Sequence, residues 1–365
     1  MRPRHAITPR RTTPRLIVGL TVAVALVAGG TVAVTEVALA KDQAAAGHPA
    51  ADRARPVIGT VRMIGSAARG AARSYWTPAR MAAATGAGAT GAHAVQRQAA
   101  AMGSSSAAQG PPRGTPSPQS FNGVPTIGAL FYTKGNSNHF CTASVVHSSV
   151  GSLVLTAAHC VYSSSGYSQH LEFIPGYDGG PVSYGIWPVT QITVAKGWRQ
   201  GANPNLDVAF LNVEPPPNSV GPIEQVTGAL QIAFALPDAQ HITAIGYNNT
   251  DQKPIMCTTT SFKFRPDQME FYCRGFWFGT SGGPWILKYN SNTGTGTVYG
   301  VIGGYEAGGY VAWASYAAAL EQPAEALLAQ AEASAASANS SAAKANAAKA
   351  GAGKSAQTQV KASVG

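Results

Sequence analysis

Three short stretches of this 365-residue chain carry side chains that could share one reaction: "LTAAHC" at 155–160, "NLDVAFL" at 205–211 and "GTSGGP" at 279–284. A serine hydroxyl such as that of Ser281 is barely nucleophilic near neutral pH. It needs a base to take its proton as it attacks a carbonyl. His159 suits that task, because an imidazole can accept the proton and then pass it to a leaving group. Asp207 opens an apolar run, a costly place for a charge without a partner. A carboxylate there could hold the imidazole in one tautomer. Gly279, Gly282 and Gly283 give the backbone around Ser281 conformations closed to other residues. Taken singly, each has a plain reading: a half-buried histidine, a strand-end carboxylate, a turn serine bonding its own backbone.

Order along the chain narrows the chemistry. "GTSGG" also fits the G-x-S-x-G elbow, which requires an acid and then a histidine after the serine, and no histidine follows Ser281. An order with the acid ahead of the histidine could use only Asp42 or Asp52, the sole aspartates before His159. The order His, Asp, Ser survives.

The elements that must position these residues are β-rich. From Phe121 onward, about a dozen short runs such as "TIGALFYT", "FCTASVV", "SLVLTA" and "DVAFLNV" are separated by Gly, Asn, Pro and Ser, as in an all-β barrel or sandwich. Residues from about Ser315 to Ala335 read as helix, broken or restarted at Pro323. The "SAASANSSAAKANAAKAGAGKSAQ" stretch that follows lacks an apolar stripe and reads as a solvated tail.

Motifs, order and texture together make the chain resemble the chymotrypsin-like (trypsin-fold) serine endopeptidases over residues 122–322. The resemblance implies two six-stranded antiparallel β-barrels with a C-terminal helix, flanked by disordered N-terminal and C-terminal extensions. It implies a triad of Ser281 as nucleophile, His159 as base and Asp207 as its orienting acid, with backbone N–H groups of Gly279 and Ser281 as oxyanion hole. Gly279 would turn those N–H groups toward one point, and Gly282 and Gly283 would leave space for the substrate. The substrates implied are polypeptides, with no cofactor and no metal.

Where the familiar "GDSGGP" motif has aspartate before the nucleophile, this chain has Thr280. Capture of a freed N-terminal ammonium is therefore not expected to order the oxyanion hole, and the bacterial glutamyl endopeptidases are the nearer branch. Gly275 stands where an acid would select Arg or Lys, and "GVIGGY" at 300–305 lacks the histidine used for glutamate. Gly303 replaces a serine that often supports the catalytic aspartate. Gly275, Phe276, Gly303, Gly304 and Tyr305 are the expected pocket. Phe276, Trp277, Phe278 and Tyr305 would crowd it and favour apolar or small side chains.

Four segments follow from composition. Residues 1–40 read as a signal peptide: five arginines by Arg15, the apolar run Leu16–Gly29, then "ALA" at 38–40. An uncleaved membrane anchor is the alternative. Residues 41–119 are a low-complexity pro-segment and linker with too few large apolar residues for a core, although "SYWTPARMAAA" at 74–84 offers Thr77 as a cap and Pro78 at a first helical position. Residues 120–322 form the protease-like domain and 323–365 an Ala-rich tail. The formal charge of +10 divides along the chain as +4 over 1–40, +7 over 41–119, −2 over 120–319 and +1 over 320–365. The folded part is not basic, so no nucleic-acid partner is expected, a disordered basic arm being the alternative.

The four cysteines, Cys141, Cys160, Cys257 and Cys273, all lie in the charge-balanced part, and an even count in an exported chain favours two disulfides. Three pairings are open, and the sequential one, closing two short loops, is expected. A zinc site built from "HFC" and "AHC" matches no finger spacing. The chain is expected to be a secreted monomer, or membrane-anchored with its domain outside if residues 1–40 are retained. A catalytically silent trypsin-fold binding module at the cell surface is the alternative function.

Overall fold

Alternating side-chain direction explains how nearly every residue of strands such as Ile127–Lys134 and Leu153–Thr156 comes to be buried. The computed structural model describes residues 59–87, 110–217, 219, 221–248 and 252–362, with side chains through 345. Ahead of the barrels lie β1 (Gly59–Met63), β2 (Thr85–Gly86) and a two-residue strand, Gln119–Ser120, that pairs with Ile255 and Met256. The first barrel comprises β3 (Ile127–Lys134), β4 (Ser137–Val145), β5 (Leu153–Thr156), β6 (Gln169–Pro175), β7 (Trp187–Ala195) and β8 (Ala209–Val213). Pairing runs β7-β8-β5-β4-β3-β6 and closes where Trp187 and Pro188 meet Phe173 and Glu172 of β6. Along β3, Leu130 and Tyr132 point into one core with Phe173, Trp187 and Leu211, while Ala129 and Phe131 join a second core with Ile245, Ile286 and Val301. That second core lies between the barrels.

The second barrel is β9 (His241–Tyr247), β10 (Pro254–Arg265), β11 (Gln268–Tyr272), β12 (Pro284–Asn290), β13 (Thr295–Val301) and β14 (Ala314–Ala318). Its order is β13-β12-β9-β10-β11-β14. The end strands approach where the Gly303 N–H donates to the Tyr316 carbonyl, 2.9 Å. This is the all-β trypsin-like fold with a C-terminal helix.

Part of the N-terminal extension is ordered where composition predicts disorder. β1 pairs antiparallel with β7, from Gly59 opposite Ala195 to Met63 opposite Gln191. α1 (Ser66–Tyr75) and α2 (Pro78–Ala82) follow, and Thr77 caps α2 by accepting the Arg80 N–H at 3.3 Å. The physical reason is borrowed burial. The segment has no core of its own, but Trp76 and Met81 are buried in the inter-barrel core, each such side chain contributing about 1.5–3 kcal/mol.

The C-terminal reading also needs correction. Residues Ala314–Ala318 pair with β11 as strand β14, so pairing overrides the helix preference of alanine. Beyond the single-turn helix α3 (Ala158–Val161) and two short helices at Lys196–Gly201 and Ile223–Thr227, the last described helix is the long one at Gln322–Ala362, labelled α4. Pro323 lies in its first turn and does not break it. Ala324, Leu327, Ala331 and Ala335 form one buried stripe against β1, β7 and β8. The proposed export segment, residues 1–40, lies outside the described residues. Among those described, no helix is long and apolar enough to cross a membrane.

Candidate active site

His159 is set by the turn in which β5 gives way to α3. Its backbone N–H donates to Asp207 Oδ1 at 2.8 Å, and its ring Nδ1 lies 2.8 Å from Asp207 Oδ2. Asp207 is fully buried between a short 3-10 turn, Pro204–Leu206, and β8. A third donor, the Gly304 N–H, reaches Oδ2 at 2.9 Å. Three N–H groups thus hold a buried charge that would otherwise be costly. The loss of a serine at 303 is answered here: the next residue's amide supplies the support. Gly303 itself is so close that an added Cβ would stand 3.0 Å from Asp207 Oδ2.

Lys134, at the end of β3, donates to the His159 carbonyl at 3.1 Å. Burial pushes its ammonium below the usual lysine range, opposed by the charge of Asp207. The lysine ties the end of β3 to α3.

Ser281 sits across the cleft, with only 8% of its surface exposed. Its turn is held by Thr142 of β4, which sequence reasoning did not single out. The Thr142 N–H donates to the Ser281 carbonyl at 2.8 Å, and its hydroxyl donates to the Gly279 carbonyl at 3.0 Å. The same hydroxyl accepts the Tyr247 N–H at 2.8 Å, and the Thr142 carbonyl accepts the Thr156 hydroxyl at 2.9 Å. Thr280 completes its own hydrogen bonds within the turn, its hydroxyl donating to the Trp277 carbonyl at 2.8 Å.

Gly279 has φ +99°, and a side chain there would run into Phe140 and the Tyr247 carbonyl. Gly282 and Gly283 differ from the expectation that they clear space for substrate. A Cβ on Gly282 would overlap Thr156 and the Thr142 carbonyl, and one on Gly283 the Ile245 carbonyl. These glycines let the turn press against the strands of both barrels.

A cavity of about 100 Å³ is shared by His159 and Ser281. Phe276, Trp277, Phe278, Thr280, Ile302 and residues 306–310 wall it, with Ser315 and Ala87. Of the expected pocket residues, Phe276 is in this wall. Gly275 is placed against Pro118 and accepts from the Asn248 side chain at 3.3 Å. Gly303 and Gly304 lie behind, at Asp207, and the Tyr305 ring turns away to pack on Phe264 and Tyr316. The Gly303 N–H is taken by the Tyr316 carbonyl and the Gly304 N–H by Asp207, and the cavity wall resumes at Glu306.

The cysteines pair sequentially, Cys141 with Cys160 and Cys257 with Cys273. The first bond staples β4 beside Thr142 to α3 beside His159. Cys141, Cys160 and His159 lie close enough together to suggest metal ligands, but the two sulfurs are bonded to each other and offer no thiolate. An imidazole held by a buried carboxylate and a hydroxyl in an anchored turn, both lining one cavity, are the groups that base-assisted nucleophilic attack requires.

The sequence profile of the family described as Trypsin matches residues 114–319. Among solved structures, protease Anisep from Arthrobacter nicotinovorans is 24% identical with a TM-score of 0.53, the match covering 59% of this chain and 99% of that one. The thermostable serine protease AL20 from an extremophilic microorganism is 24% identical with a TM-score of 0.51, covering 57% of this chain and 97% of that one. At these identities the likeness is one of fold. A search of curated proteins finds no match. The profile spans more than half of the sequence, and this chain belongs to the trypsin family.

Proposed function

We propose that this protein is a secreted serine endopeptidase that cleaves polypeptides through an acyl-enzyme formed on Ser281. The observation that carries the reading is the 2.8 Å contact of His159 Nδ1 with the buried Asp207 carboxylate. It commits that nitrogen and leaves Nε2 as the one available to the cleft shared with Ser281. His159 takes the hydroxyl proton as Ser281 attacks the peptide carbonyl. Asp207 stabilises the imidazolium, which then protonates the leaving amine. The amides of Gly279 and Ser281 receive the oxyanion, each such donor being worth about 2.7–4 kcal/mol. Water then repeats the sequence to release the acyl group.

The small cavity lined by Phe276, Trp277 and Ile302 takes the acyl-side residue and favours a small or apolar side chain. Two disulfides support an oxidising, extracellular destination. The test is stoichiometric labelling by a fluorophosphonate after long incubation. Ser281 should be modified to near completion, and His159→Ala should abolish modification. A folded protein that stays unmodified would reject the enzyme and favour the binding module.

A further inference from the structure

The N-terminal segment does not simply cover the first barrel; its last described residues enter the cleft. Arg69 and Arg73 of α1 pair with Glu214 at 3.0 and 2.9 Å. Trp76 is buried and donates to the His170 carbonyl at 2.5 Å. Met81 is buried and, with Phe131, Phe140 and Tyr247, lines a cavity of about 300 Å³. β2 then adds in parallel to β4, Thr85 opposite His139 and Gly86 opposite Phe140, and the Ala87 N–H donates to the Phe140 carbonyl at 3.0 Å. Ala87 forms part of the wall around His159 and Ser281. Gly86 presses so closely on the Phe278 carbonyl and the Gly279 nitrogen that a methyl group there would overlap both.

We propose that residues 76–87 hold the chain in an inhibited state by occupying the side of the cleft that a substrate's leaving peptide must cross. The inference rests on the protease reading above. Two effects act together. Strand addition uses the Phe140 carbonyl and the free edge of β4, so no incoming peptide can pair there. Gly86 covers the amide of Gly279, one of the two donors assigned to the oxyanion. Because the segment is tethered, its effective concentration at the cleft is of millimolar order, beyond what an ordinary substrate reaches. Release of 76–87, by a cut further along or by displacement, opens the site without rebuilding it.

The test compares the whole chain with Gly86→Val, which cannot seat against Phe278, and with Met81→Glu, which puts a charge on a side chain buried in the inter-barrel core. Thermal unfolding establishes that each variant is folded. The readouts are the initial rate of fluorophosphonate labelling and the turnover of a peptide with several residues on both sides of the cut. Both variants should be faster than the parent by about tenfold or more. Equal rates in parent and folded variants, with full labelling of all three, overturn the inference and leave the protease reading intact. No labelling in any of them overturns both.

Discussion

Replacing Thr142 by valine tests how the catalytic turn is held. The shape is nearly unchanged, but the hydroxyl that donates to the Gly279 carbonyl and accepts from the Tyr247 N–H is gone. Both partners are buried and lose their bond. At about 1–3 kcal/mol for each group left unpaired, the loss is about 3 kcal/mol, and for a domain of this size that lowers Tm by about 10 °C. The Thr142 N–H still holds the Ser281 carbonyl, so the turn loosens at Gly279 without detaching. A partial loss of one oxyanion donor then lowers kcat by about 10- to 100-fold with KM little changed. Thr142→Ser restores both bonds and should recover most of the activity. The assay is peptide hydrolysis with active-site titration, paired with thermal unfolding. A valine variant with parental kcat would show that this hydroxyl does not position the turn, whatever its effect on Tm.

Glu172 is fully buried with neither carboxylate oxygen hydrogen-bonded, and burial pushes its pKa from 4.5 to about 8, against the pull of Arg73. A pKa raised in the folded state means stability present below 4.5 and lost as pH rises through about 8, up to a limit of order 5 kcal/mol. Glu172→Gln, isosteric with the protonated acid, should flatten the fall of Tm between pH 5 and 8.5; an unaltered slope would refute this. Leu327, 2% exposed at the foot of α4, should cost about 2–5 kcal/mol when changed to alanine. Chemical denaturation measures it, and a loss below 1 kcal/mol would mean that α4 does not hold the first barrel.

The parts of the site that sequence could name are those carried by local motifs. His159, Asp207 and Ser281 each lie in a recognisable stretch, and the structure brings His159 and Ser281 to one cavity with Asp207 behind. Thr142, Lys134 and the Gly304 amide had no such signal. They act through hydrogen bonds that span 137, 25 and 97 residues, separations that only the fold closes. Tyr305 looked like a pocket residue from its place after "GVIGG", but the turn of the chain there sends its ring toward Phe264 and Tyr316. The strand Ala314–Ala318 was hidden by its alanines. The ordered segment at 59–87 was hidden for another reason: its stability lies in the apolar surface it covers, which no count of its own residues reveals.

Thr280 closes its hydrogen bonds with the carbonyl three residues back and asks nothing of a distant ammonium. On the protease reading proposed above, a turn wired in this way forms with the fold itself, before any cut frees an ammonium. The restraint would then lie in obstruction by residues 76–87, and maturation would be an act of uncovering in place of assembly.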